Sequence, residues 1–200
     1  MYRNNFLKTV LLITVFLLSF VLVACESKET SEESKSHDHS HSVAESGEAI
    51  DAHTLGHVFH AMGVPREVQS KLVKDVKVMY FDVNNGTLSK VDSMTNAKIA
   101  VYVCGNAYVG EAPISISGSK VNDSYVFVGL GSGFKKIMDM NFHGVKNDPA
   151  REFIKAFKGI DIIDGKLNVT VDKNDEDTKT ILSTINFIIG SVEKAAMLMN

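Results

Sequence analysis

An α+β fold in a single domain, with N- and C-terminal helices around a mainly antiparallel sheet, is predicted by three observations. Helical signatures sit at the two ends of the folding part of the chain, near residues 48–74 and 178–199. The middle is filled by short runs rich in Val, Ile, Tyr and Phe. Those runs are punctuated by Asn-Gly and Asp-Gly, the dipeptides that turn one strand back on another. Helices do not alternate regularly with strands, which argues against a doubly wound parallel sheet.

The elements follow in order. Glu48 to Met62 reads as a helix, with Gly63 in position to end it and Pro65 opening the next segment. Arg66 to Lys74 is a short second helix. Val76 to Val83 is a strand closed by Asn84-Asn85-Gly86. Ile99 to Val103 is a continuous apolar run and so a buried strand, stopped at Cys104-Gly105-Asn106. Ala112–Ser117 and Ser124–Val128 read as further strands around Gly118, and Ile137–Phe142 fits either strand or helix. Pro149–Lys158 is a helix, capped by Asp148 and stopped by Gly159. Ile160–Ile163 and Leu167–Val171 flank Asp164-Gly165 as a hairpin. The last helix runs from Thr178 to Met199, where Ile181, Ile185, Ile188, Ile189 and Val192 give a broad apolar face.

The chain has 200 residues and a formal net charge of −3. The charge is unevenly spread. Residues 26–50 carry seven acids and two lysines, whereas residues 51–200 balance at 17 basic and 17 acidic. A neutral fold on an acidic stalk is a poor match for nucleic acid. Two cysteines, Cys25 and Cys104, exclude a disulfide scaffold.

Location is the most legible property. Arg3 and Lys8 precede sixteen uncharged residues, Thr9 to Ala24, too short to span a bilayer comfortably and suited to a secretory leader. The run ends Leu22-Val23-Ala24-Cys25, which resembles the bacterial lipobox. The resemblance implies cleavage before Cys25 and attachment of diacylglyceryl and further acyl chains such as palmitate. Those chains would hold the protein on the cell membrane or outer membrane, outside the cytoplasm. The organisation expected is a signal peptide over 1–24, a lipidated Cys and disordered tether over 25–47, and a globular domain over 48–200.

Three sets of residues carry candidate chemistry. His53, His57 and His60 recur at i, i+4 and i+7 in the first helix, within about 60° of one another at about 100° per residue. Leu55, Val58, Phe59 and Met62 fall opposite, so the histidines are expected to face solvent as ligands for Zn²⁺, Cu²⁺ or Ni²⁺. His37, His39 and His41 in the tether form a tract that can add to them. His143 stands alone and reads as structural.

The second set is Cys104 with Gly105-Asn106, which resembles the strand-end Cys-Gly-Asn of DsrE-like sulfur-relay domains and implies a sulfur carrier. The third spans about 100 residues. Gly131-Ser132-Gly133-Phe134, then Phe153–Gly159, then Val171-Asp172 with Thr178 and Thr180 resemble, in order, the motifs of the FMN-binding domain of flavinylated electron-transfer proteins. The resemblance implies an electron-transfer module with Thr178 as acceptor and Gly131, Gly133 and Phe134 beside the cofactor. Asp175-Glu176-Asp177 replaces the family's Ser-Gly-Ala, and these acids suit a helix start better than a second anion. No nucleophilic triad or pair of catalytic carboxylates is visible, so a carrier or binding module is expected rather than an enzyme. Redox or metal-handling envelope proteins are the partners these readings imply.

Overall fold

The computed structural model describes residues 42–43, 49–169 and 175–199. Cys25, His37, His39, His41, Val171 and Asp172 lie outside the described residues. Ten strands and four helices are numbered here in chain order. A short pair, β1 (Ser42–Val43) and β2 (Ala49–Ile50), precedes helix α1 (Ala52–Ala61) and helix α2 (Arg66–Leu72), which runs on as a 3₁₀ turn over Val73–Asp75. The sheet is built from β3 (Lys77–Asn84), β4 (Thr87–Val91), β5 (Ile99–Cys104), β6 (Ala107–Pro113), β7 (Tyr125–Leu130) and β8 (Ile137–His143). Helix α3 (Asp148–Lys155), the small hairpin β9 (Ile162–Ile163) with β10 (Lys166–Leu167), and helix α4 (Glu176–Met199) complete it. The sheet order is β4-β3-β5-β6-β7-β8, and each neighbouring pair is antiparallel. The expected α+β class is therefore the one observed.

Local rules place the ends of the elements. Asp51 caps α1, its carboxylate accepting from the backbone N–H of His53 (2.9 Å) and Thr54 (3.0 Å). That cap starts the helix at Ala52, four residues later than the expected Glu48, and leaves Ala49–Ile50 to pair with Ser42–Val43 inside the stretch read as tether. At the other end Gly63 (φ +66°) lets its N–H reach the His60 carbonyl and the Val64 N–H reach that of Phe59. Asp164 (φ 51°) and Gly165 (φ 69°) make the expected tight turn between β9 and β10.

Two strands depart from expectation. β4 is an edge strand of Thr, Leu, Ser, Lys and Val, whose exposed polar positions hide its pattern. β6 runs from Ala107 to Pro113, and Gly110 and Glu111 interrupt its apolar run and hide it; Ile114–Ser117, expected as strand, is loop. Ile137–His143, ambiguous in sequence, is a strand.

Strand alternation gives the sheet two buried faces. Met79, Phe81, Ile99, Val101, Ala112, Val126, Val128 and Leu130 pack beneath α4 and α3 in the larger core. Val78, Tyr80, Ala100, Tyr102, Val109 and Phe127 pack beneath α1 in the smaller one. Helix α4 has 24 residues, and an 18-residue stretch of it has a mean hydropathy of 1.4, so it is long and apolar enough to cross a membrane. Its Ile181, Ile185, Ile188 and Ile189 are instead buried on the sheet, each contributing about 1.5–3 kcal/mol of burial. Gly110 and Gly129 bring the helices close. A Cβ on Gly110 would lie 2.3 Å from Ile188 Cγ2 of α4, and one on Gly129 would lie 1.8 Å from the Ala61 carbonyl oxygen of α1.

Candidate metal centre

Helix α1 lies across β7 and β8 with its apolar side down, and this sets the fate of its histidines. His57 is not solvent-facing, as expected, but half-buried. Its ring stacks on Phe127 at 5.0 Å and 12°. His53 and His60 are exposed. The histidine that joins His53 and His57 is His143, at the end of β8, expected from sequence to be structural. The candidate ligand nitrogens of His53, His57 and His143 all lie within 4.8 Å of one another. His53 meets both other rings edge-on at 4.8 Å, and the His57–His143 ring separation is 5.3 Å.

His60 stays out of this group for a simple reason. At about 1.5 Å rise per residue, i and i+7 stand about 10 Å apart along a helix, too far to share an ion. His53 and His57 are one turn apart, and the third position is filled from the strand below.

Two partners set the tautomers. Asn141, two residues before His143 on β8, donates from Nδ2 to the His57 carbonyl oxygen at 3.0 Å. Its Oδ1 therefore faces His57 Nδ1, at 2.8 Å, and accepts that nitrogen's proton. The lone pair of His57 is left on Nε2. Asp123, ordered by Lys120 at 3.1 Å, accepts from His143 Nε2 at 3.1 Å and leaves the His143 lone pair on Nδ1. Histidine ligands commonly have this kind of support, a carboxylate or carbonyl holding the second ring N–H. Burial pushes the His57 pKa below its usual value, and the charges of His53, His143 and His60 lower it further against the opposing Asn141 bond. His57 is thus a neutral imidazole at physiological pH, the form that binds metal.

Two members of the cluster, His53 and His57, line a cavity of about 670 Å³ between α1, α2, β8 and α3, together with His60, Arg66, Asn141 and Arg151 among others. Asn141, His143 and Asp123 were missed by sequence reasoning. A signal was present: Asp139, Asn141 and His143 recur every second residue, alternating with the buried Met140 and Phe142. That is the polar face of a strand whose other face is core.

The other predicted sites do not assemble. Cys104 closes β5 in a two-residue hairpin to Ala107, with Gly105 at φ +57°, and a strand follows it. Burial and then the Asp75 charge push its thiol up, opposite to the lowered pKa of reactive thiolates. Thr178 and the Gly131–Phe134 turn lie at opposite ends of the sheet. Asp177, beside Thr178, accepts from the Ser117 N–H at 3.0 Å and the Asn147 amide at 3.3 Å, beyond the start of β7. Gly131 follows the end of β7, and Phe134 packs on Tyr108 there. Six residues of strand, about 17–20 Å, separate those ends, so the fold does not bring Thr178 into contact with the loop. The Thr178 hydroxyl also donates to Asp175 at 2.8 Å, and Asp175 caps α4 through the Thr178 N–H at 2.9 Å.

No family model matches the chain. Two relatives do, over its whole length. Outer surface 22 kDa lipoproteins of Borreliella burgdorferi, from strains N40 and ZS7, are each 42% identical over 202 residues, spanning 100% of this chain and 99% of each relative. The chain belongs to this lipoprotein family. It is accordingly a lipid-anchored protein of the cell envelope, outside the cytoplasm, as the leader and lipobox anticipate.

Proposed function

We propose that this envelope lipoprotein, tethered through Cys25, holds a divalent transition-metal ion at His53, His57 and His143. The observation that supports it best is the pair of fixed tautomers. Asn141 and Asp123, on different segments, hold one nitrogen of His57 and one of His143, leaving the lone pair of His57 on Nε2 and that of His143 on Nδ1 in a cluster whose candidate ligand atoms lie within 4.8 Å of one another. Three neutral imidazoles suit Zn²⁺, Cu²⁺ or Ni²⁺. Metal–nitrogen bonds of about 2.0–2.1 Å need the ring nitrogens closer than they stand, and His53, exposed on the first turn of α1, is free to swing inward. Three protein ligands leave a coordination position open. The ion is therefore held for exchange or for a further ligand, and the protein acts as a binding module.

The test is metal titration of the full chain, purified without a polyhistidine tag, in a background where His37, His39 and His41 are Ser. His53→Ala and His143→Ala should each weaken Zn²⁺ or Ni²⁺ binding at least tenfold, and His60→Ala should leave it within twofold. Asn141→Ala, which frees the His57 tautomer, should weaken it by about 10–100-fold. Binding should weaken as pH falls, because protons compete with the metal for the imidazole nitrogens. Equal affinity in a variant lacking His53, His57 and His143 would overturn the proposal.

A further inference from the structure

The cavity beside the histidines carries a second, separate feature. The chain has three arginines and eighteen lysines. Two of the arginines, Arg66 at the start of α2 and Arg151 on α3, line this one cavity, and no lysine does. They come from elements 85 residues apart, brought together by the docking of α1–α2 on β8. Among the described residues neither guanidinium is in an ion pair. The carboxylate that lines the cavity, Asp139, is already engaged by Lys158 at 2.6 Å and does not neutralise them. A concave site with two unpaired guanidinium groups holds a positive potential that concentrates anions. Guanidinium forks match carboxylate and phosphate oxygens two at a time, a recognition a lysine does not offer.

We infer that Arg66 and Arg151 seat a small soluble oxyanion, a phosphate or carboxylate, in this cavity, where it also reaches the coordination position that His53, His57 and His143 leave open. The second half rests on the metal reading above; the first half does not. Cavity size agrees, since about 670 Å³ accommodates a ligand of several heavy atoms bridging the arginines and the ion. His60, exposed on the same wall, is placed to contribute a ring N–H to such a ligand rather than to the ion.

The experiment is calorimetric titration of the detergent-solubilised full chain at constant ionic strength, with inorganic phosphate as probe. Dihexanoyl-phosphatidylglycerol is run in parallel as a lipid headgroup source. In metal-free protein phosphate should bind, and Arg66→Gln and Arg151→Gln should each weaken it about tenfold. Both side chains are exposed, and circular dichroism should report an unchanged fold. In Ni²⁺-loaded protein phosphate should bind about tenfold tighter than in metal-free protein. His53→Ala should remove that gain and leave the arginine-dependent part. Equal phosphate affinity in the wild type and the Arg66→Gln/Arg151→Gln double variant overturns the inference. So does binding of the short-chain lipid without binding of phosphate. Arginine-dependent phosphate binding with Ni²⁺ bound but no gain from it overturns the shared site. Failure to bind Ni²⁺ with arginine-dependent phosphate binding intact breaks the metal reading alone.

Discussion

The two faces of the sheet are built by the same device and put to different uses. Each receives a helix at a glycine that admits close backbone approach, Gly110 beneath α4 and Gly129 beneath α1. Under α4 the contact is sealed by branched aliphatic side chains, Ile181 through Val192, on a continuous apolar surface. Beneath and beside α1 the core is thinner and interrupted by polar groups: Glu111, Tyr102, Asn141 and the histidines. The face that carries most of the apolar burial holds none of the candidate metal ligands, and the face that holds them gives up burial to do so. A polar site needs immobilised, partly desolvated groups at an opening, which a fully packed apolar face cannot offer.

Substitutions on both faces sharpen this contrast. The largest effect is expected at the paired glycines. Gly129→Ala would drive a methyl into the Ala61 backbone carbonyl, which has no rotamer to escape by. It should lift α1 from the sheet, lower stability by about 3 kcal/mol and abolish metal binding together. Gly110→Ala meets the side-chain ends of Ile188 and Val192 instead. It should lower stability by about 2 kcal/mol and leave metal affinity unchanged. Thermal unfolding with parallel metal titration checks both, and metal binding that survives Gly129→Ala would break the comparison.

Next comes Glu111, 6% exposed and beneath α1, which accepts from the Tyr102 hydroxyl at 2.5 Å. Burial raises its pKa from an ordinary 4.5 to about 7, against the lowering by Tyr102, with the Asp51 charge adding to the rise. The folded pKa exceeds the unfolded one, so this contribution to stability is full below pH 4.5 and lost as pH rises through about 7. Relative to wild type, Glu111→Gln should therefore gain up to about 3 kcal/mol between pH 4.5 and pH 8. His57 acts in the opposite sense. Its folded pKa is lowered, so its contribution is present above the ordinary 6.5 and lost as pH falls below it. Denaturant unfolding of Glu111→Gln and of His57→Ala from pH 4.5 to 8 separates the two slopes. A Glu111→Gln profile parallel to wild type would show that the carboxyl is not titrating in the α1 face.

The smallest effects belong to the start of α4. Asp175→Ala removes the cap of that helix and should lower the Tm by about 3 °C. Thr178→Ala loses a surface hydroxyl bond to the same carboxylate and should shift it by less than about 1 °C. Neither should change metal affinity, since α4 packs on the other face. Melting curves with and without Ni²⁺ test both points.

Much of the fold was legible from residues in sequence, because its signals are local. Gly63, the Asp164-Gly165 turn and the apolar stripe of α4 specify backbone angles and helix faces by short-range geometry, whereas α3 is capped by Asn147 rather than the expected Asp148 and ends at Lys155, short of Gly159, whose N–H bonds to the Ile137 carbonyl on β8. An acidic start to α4 also reads from sequence, with Asp175 or Asp177 as its cap, and Asp175 is the one that caps it. Edge strand β4 and the true span of β6 were not legible, since neighbouring strands rather than their own composition hold them in the sheet. The candidate site divides the same way. His53 and His57 announce themselves through the helical repeat, whereas Asn141 is 84 residues from His57 and becomes its partner only when α1 docks across β8. The same docking excludes His60, admits His143, and gathers Arg66 with Arg151. Backbone periodicities of 3.6 and 2 residues are written in the chain and can be read without the fold. Which periodic face meets which is decided by packing between distant segments, and the site exists only there.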